Sequence, residues 1–144
     1  MKMFILLCMI TMALFATGLT KSGDFVIDNK NKLMWQDNKE NLSIKTTQVQ
    51  AVQYCKNLSL KGFSNWTLPS RKNYETIIDK SRIKAELMID KVFQYANNDA
   101  YWTRDRTWIR NFGNYGYYVL FRSGSIYYQN RTYEKYVRCV RDIK

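Results

Sequence analysis

From Tyr101 to its end the chain is written in aromatic and β-branched residues. Tyr101-Trp102-Thr103, Tyr117-Tyr-Val-Leu-Phe121, Ser125-Ile-Tyr-Tyr128 and Tyr136-Val-Arg-Cys-Val140 suit a pleated, half-buried surface better than a helix. Arg122-Ser-Gly-Ser125 between two of these runs reads as a hairpin turn. The earlier part has another period. Phe25-Val-Ile-Asp28 and Leu33-Met-Trp35 read as two short strands joined by Asn29-Lys-Asn-Lys32. Val49, Val52, Cys55 and Leu58 then recur every third residue, with Ala51 and Tyr54 alongside. They predict a helix with that stripe on its buried side, capped by Thr46 or Thr47 and stopped at Gly62. Trp66-Thr-Leu-Pro-Ser70 is extended, because the residue before proline avoids the helical region. Ser70 caps a second helix through Ile77 and Ile78, and Ile83 to Phe93 reads as weakly helical or irregular. Helices grouped early and antiparallel strands late give an α+β fold.

The start of the chain bears on the compartment. Met1-Lys2-Met3 is a basic opening, Phe4 to Phe15 is almost wholly apolar, and Ala16-Thr17-Gly18 is small, which is the order of an export signal. The apolar run is shorter than the roughly 20 residues of a spanning helix. Residues 1–18 are therefore expected to be a signal peptide and 19–144 a single domain, with no transmembrane segment after cleavage. The expected location is the periplasm or the cell surface and beyond. The bulky Leu7 before Cys8 does not suit a lipoprotein site. Cys8 leaves with the signal. Cys55 and Cys139 remain, and an even count in an oxidising compartment favours a disulfide.

Much chemistry is missing. The sequence holds no histidine, so it lacks the usual triad base, the commonest metal ligand and a proton carrier tuned to neutral pH. Cys55 and Cys139 do not have the close-spaced pairing of a zinc site, and no glycine-rich phosphate loop is present. Asp79, Asp90, Asp99, Asp105 and Glu75 show no spacing that marks a catalytic pair. Asn97-Asn98-Asp99 is the one cluster of oxygen ligands, and such a cluster more often marks a turn. No enzymatic activity, metal or cofactor is expected.

Charge supplies the positive signal. Lys and Arg number 23 against 12 Asp and Glu, a formal net charge of +11. Such a balance on an exported domain attracts polyanions: acidic glycans, lipopolysaccharide, anionic membrane or nucleic acid. The C-terminal half interleaves arginines with aromatics, and Arg forks onto sulfate, phosphate or carboxylate while rings stack on sugars or bases. Arg104, Arg106 and Arg110 are the first candidates, because Thr103 to Gly116 reads as an exposed loop. Trp102, Trp108, Arg122 and Arg131 complete the candidate ligand-binding set.

Leu33-Met-Trp-Gln-Asp37, Ala51-x-x-Tyr54-Cys55-x-x-Leu58, Gly62, Trp66-x-Leu68-Pro69-Ser70, Tyr101-Trp102, Val119-x-Phe121-x-x-Gly124 and Val137-Arg-Cys-Val-Arg141 form an ordered set. In that set the chain resembles the C-terminal domain of the Legionella collagen-like adhesin family over nearly the whole mature length. The resemblance implies a C-type-lectin-like α+β fold, with two early helices packed on an antiparallel, partly twisted sheet. It also implies one disulfide, Cys55 to Cys139, tying the early helix to the last strand. The named adhesin is associated with sulfated glycosaminoglycans and a trimeric state, so an anionic glycan partner and a homo-oligomer are implied too. Neither Glu-Pro-Asn nor Trp-Asn-Asp, the signatures of calcium-dependent sugar binding, occurs in the chain. The expected function is an exported, adhesin-like binding module for an anionic polymer such as a sulfated glycan or envelope polysaccharide. The alternative is an envelope structural, interaction or inhibitor protein with an acidic protein partner.

Overall fold

A computed structural model of the chain describes residues 18–82, 87–108 and 114–143. Nearly all of the expected signal peptide lies outside these residues, as does Arg110. Among these residues the fold is α+β, with two sheets, two α-helices and one disulfide.

The first sheet has the order β1-β2-β3-β9, all antiparallel, with β1 at Leu19–Ser22, β2 at Phe25–Asp28, β3 at Leu33–Gln36 and β9 at Val140–Asp142. The β2–β3 hairpin is the one expected from its apolar runs and Asn/Asp turn. Strand β1 carries no comparable pattern, and the sequence reading did not include it. The second sheet has the order β4-β8-β5-β6-β7, with β4 at Lys45–Thr46, β5 at Ala100–Trp108, β6 at Asn114–Leu120, β7 at Ser125–Asn130 and β8 at Lys135–Tyr136. The expectation of one antiparallel sheet is corrected on both counts. There are two sheets, and β5 meets β8 in parallel at Tyr101 and Tyr136.

The physical reason lies in Val137-Arg138-Cys139. These residues are buried but belong to neither sheet, and they carry the chain from β8 to β9. Side chains satisfy part of their backbone where a ladder would otherwise do so, while the Cys139 carbonyl accepts from the Gln36 N–H at 2.9 Å. Asn41 donates to the Val137 carbonyl at 3.0 Å, and the Cys139 N–H donates to Gln36 Oε1 at 3.1 Å. Arg138 is fully buried. It donates to the Gln36 carbonyl at 2.5 Å, to Asp37 Oδ1 at 3.2 Å and to the Tyr95 carbonyl. Asp37 also accepts from Lys21 and from the N–H groups of Gln94 and Tyr95. Burial works to raise the Asp37 pKa, but Arg138, Lys21 and those two N–H groups outweigh it and hold the carboxyl below its ordinary value. The expected continuous strand Tyr136–Val140 is therefore broken by a buried arginine and its carboxylate.

Helix α1 runs Gln48–Asn57 and α2 runs Arg71–Glu75. Thr47 and Ser70 cap them as the sequence suggests, each in a reciprocal capping box. Helix α2 is shorter than expected, ending before Ile77 and Ile78. Those residues form a turn whose Ile78 bridges to Ile89. The phase of α1 also differs from the expectation. Its buried residues are Gln48, Ala51 and Cys55, while Val49 and Val52 are 52% and 37% exposed.

The core is divided. One apolar cluster joins Val26, Trp35, Tyr74, Tyr101, Val119 and Phe121 between α2 and the sheets. The other joins Phe25, Met34, Ala51, Cys55, Trp66, Trp102 and Cys139 beneath α1. The Cys55–Cys139 disulfide, whose Cα atoms are 5.4 Å apart, ties α1 to the crossover inside the second cluster. Both sulfur residues are fully buried, so the cysteine between arginines is a staple.

Candidate anion-binding cleft

The N-terminal end of α1, the outer half of β5 and the chain just after β7 enclose a cleft of about 310 Å³. Arg104, Arg106 and Arg131 line it together with Val49, Val52 and Gln53, over the buried Gln48.

Each arginine has a local cause. Strand β5 pairs regularly with β6 up to Trp102 and resumes at Arg106, with a register shift between. A bulge of this kind re-aims side chains. Within it Thr103 donates to the Tyr117 carbonyl and accepts from the Asp105 N–H, and the Arg104 N–H donates to the Pro69 carbonyl. Asp105, the one acid between the two arginines, turns towards α2. It accepts from the Arg71 N–H at 2.7 Å and lies 3.5 Å from Arg71 Nε. Arg104 and Arg106 are left exposed on the cleft. The interval Thr103–Gly116, expected as a loop, is thus largely strand: β5 reaches Trp108 and β6 begins at Asn114. Tyr115, Gly116 and Tyr118 pair opposite Thr107, Arg106 and Trp102, and this ladder extends the hairpin.

Arg131 is held by Gln48. The Arg131 Nε donates to Gln48 Oε1 at 2.6 Å, while Gln48 Nε2 donates to the Thr103 and Asp105 carbonyls at 2.8 and 3.0 Å. The Gln48 N–H in turn donates to the Arg131 carbonyl at 3.1 Å. One buried glutamine therefore joins the helix start, the β5 bulge and the arginine. Gly116 makes room for it: a Cβ there would lie 2.5 Å from Gln48 Nε2. Burial and the nearby charge of Arg106 both lower the Arg131 pKa. An anion between these groups would relieve that repulsion. Among the described residues, no carboxylate lies within ion-pair distance of Arg104, Arg106 or Arg131.

The other sequence candidates separate from this cleft. Trp102 is fully buried, and its indole N–H donates to the Thr46 carbonyl at 2.9 Å, so it is a core residue with no face for a ligand. Trp108 is 70% exposed at the end of β5 but is not among the residues lining the cleft. Arg122 is exposed in the turn at the opposite end of the β6–β7 hairpin from Arg131. Arg110 lies outside the described residues. Of the basic residues interleaved with the aromatics, Lys135 and Arg138 are buried and add nothing to the surface. Sequence reasoning missed Gln48, Val49, Val52 and Gly116. A larger depression of about 560 Å³ beside the β6–β7 turn has Glu75 and Lys80 in its lining and, among the described residues, no arginine.

Against known families, the model of the Lcl C-terminal domain matches residues 24–141. The chain belongs to that family. No curated protein matches this Lcl C-terminal domain, and no solved structure does. The matched residues include every side chain lining the cleft. Among the described residues, no helix is long and apolar enough to cross a membrane, and no group of acidic or cysteine side chains is arranged to hold a metal ion.

Proposed function

We propose that this Lcl C-terminal domain is an exported, adhesin-like module that binds an anionic polymer, acts by binding and not by catalysis, and does so on a C-type-lectin-like scaffold. The observation that carries the reading is the meeting of Arg104, Arg106 and Arg131 at one cleft, with Asp105 turned away from them. Three guanidinium groups with no ion-paired carboxylate among the described residues suit sulfate, phosphate or carboxylate groups on one chain. Val49 and Val52 beside them offer apolar contact to the carbon skeleton between those groups. The net charge of +11 adds long-range attraction. Export is supported by the basic, apolar and small-residue order of residues 1–18 and by a buried disulfide, which persists in oxidising compartments.

The test is binding of the domain to heparin, lipopolysaccharide, DNA and a neutral glycan across a salt series, with Arg104→Gln, Arg106→Gln and Arg131→Gln alongside. The expected result is preference for one anionic polymer that persists near physiological salt. Each substitution should lower the log–log salt slope by about one. Loss of every interaction at modest salt, or variants indistinguishable from the parent, would overturn the cleft as the site. Salt-insensitive binding to an acidic protein would point to the interaction-protein alternative.

A further inference from the structure

The arginine cleft has neighbours on both sides. A depression of about 350 Å³ adjoins it and shares Val49 and Arg131 with it. A smaller one of about 160 Å³ adjoins it elsewhere and shares Arg104. Among the described residues, the two outer depressions share no lining residue with each other. The three therefore form a run, with the arginine cleft in the middle. We infer that the site takes an extended segment of a linear chain lying across all three depressions, and that charge is read only in the central one.

The lining chemistry supports the second half of that statement. The depression on the Arg131 side is otherwise lined by Thr47, Asn114, Asn130 and Thr132, which are neutral hydroxyl and amide groups. The depression on the Arg104 side has Asn65, Thr67 and Asn73, and its remaining charged residues, Arg141 and Asp142, are of opposite sign. Arg141 is further occupied with the rings of Phe63 and Trp66, its guanidinium carbon 5.0 and 6.0 Å from their centroids. Among the described residues, neither flank offers a second unopposed cluster of cations. A segment that fits carries its anionic groups at the centre and neutral, hydrogen-bonding units on each side. A uniformly and densely charged chain would place anions beside Asp142. The matching chemical class is a linear, hydroxyl-rich polymer with intermittent anionic groups.

This inference rests on the reading of the arginine cleft as an anion site. The experiment separates the two. Hyaluronan oligosaccharides, whose carboxylates stand on alternate sugars among neutral hydroxyl and amide groups, are titrated at defined, increasing lengths against the parent domain, against Arg106→Gln with Arg131→Gln, and against Thr67→Trp and Thr132→Trp. Thr67 and Thr132 are exposed positions, one in each flanking depression, where a bulky ring blocks the path; the side-chain bonds given up are Thr67 Oγ1 to the Val140 carbonyl and Thr132 Oγ1 to Asn130 Oδ1. Thermal melts and circular dichroism confirm that each variant is folded. A polyphosphate of matched charge is the densely charged comparison. The expected result is affinity that climbs with length and then levels off. Each tryptophan should weaken the longest oligosaccharide about tenfold, the loss of one flanking contact region, and leave the shortest unchanged. Polyphosphate should bind more weakly than the longest oligosaccharide. Affinity equal for short and long probes, tryptophan variants matching the parent, or polyphosphate binding as tightly would overturn the extended path while the central cleft stands. If the double arginine variant binds every probe like the parent, the cleft reading itself fails.

Discussion

Gly116→Ala tests whether Gln48 is the keystone of the cleft. The added Cβ would lie 2.5 Å from Gln48 Nε2, 2.6 Å from its Cδ and 2.8 Å from its Oε1, all too close for real contacts. The backbone of β6 tolerates alanine, since Gly116 is not among the glycines at positive φ. The glutamine must therefore move, and it is buried with three side-chain hydrogen bonds. Two of these are neutral and one is to a cation; at about 1 kcal/mol for each neutral bond and 1.5–3 for the charged one, complete loss would cost about 4 kcal/mol. Partial re-pairing reduces this, and alanine gains about 0.4–1 kcal/mol by restricting the unfolded chain. The net expectation is a loss of about 2–3 kcal/mol. In a Gln48→Ala background the same change should be neutral or slightly stabilising, because nothing remains to collide with. Urea unfolding of the four oxidised proteins, followed by tryptophan fluorescence, gives the coupling directly. The parent affinity for the best anionic polymer should fall in Gly116→Ala as well, because Arg131 loses its anchor. Equal costs with and without Gln48 would refute the slot argument and leave Gly116 conserving only local strand geometry.

Cys55→Ser with Cys139→Ser opens a loop spanning 84 positions and should cost about 4–5 kcal/mol in the chain-entropy picture, read as a lower urea midpoint. Asp37→Asn leaves Arg138 buried without its counter-charge and should cost about 3–5 kcal/mol at neutral pH. The sign of its pH dependence follows from a folded pKa below the ordinary 3.8: the contribution is complete above that value and is lost as pH falls through the lowered one. Urea titrations below about pH 4 should therefore show a shallower acid limb in Asp37→Asn than in the parent. Trp102→Ala should destabilise by about 3–5 kcal/mol, while Trp108→Ala, on an exposed ring, should stay within about 0.5 kcal/mol.

The parts of the fold readable in the sequence are those set by local chemistry. The β2–β3 hairpin, the caps at Thr47 and Ser70 and the late aromatic strands all follow from short-range patterns. The parts that were not readable depend on groups far apart in sequence. The break between β8 and β9 exists because Arg138 reaches Gln36 and Asp37 about a hundred positions away. The division into two sheets follows from that break. Likewise, the exposure of Arg104 and Arg106 was legible as charge. The turning of Asp105 towards Arg71, which leaves them unopposed, is a tertiary fact. Trp102 and Trp108 look alike as residues, and only strand position separates the buried ring from the exposed one.

The misread stripe on α1 is the more instructive difference. A three-residue step through Val49, Val52, Cys55 and Leu58 satisfies a helical period, but so does the step through Gln48, Ala51 and Cys55. Composition favours the first and packing selects the second. A polar glutamine is buried and two valines face water, which reverses the usual assignment. Local rules are broken where something other than stability is served. Here the buried glutamine holds Arg131, and the exposed valines line the same cleft as Arg131 and Arg104. The inversion thus sets apolar side chains beside three guanidinium groups in one cleft. Val49→Ser with Val52→Ser provides the check. If the valines only fill core, the double variant should lose several kcal/mol of stability, as buried deletions do. If they serve the cleft, stability should change by less than about 1 kcal/mol while affinity for the anionic polymer falls with an unchanged salt slope.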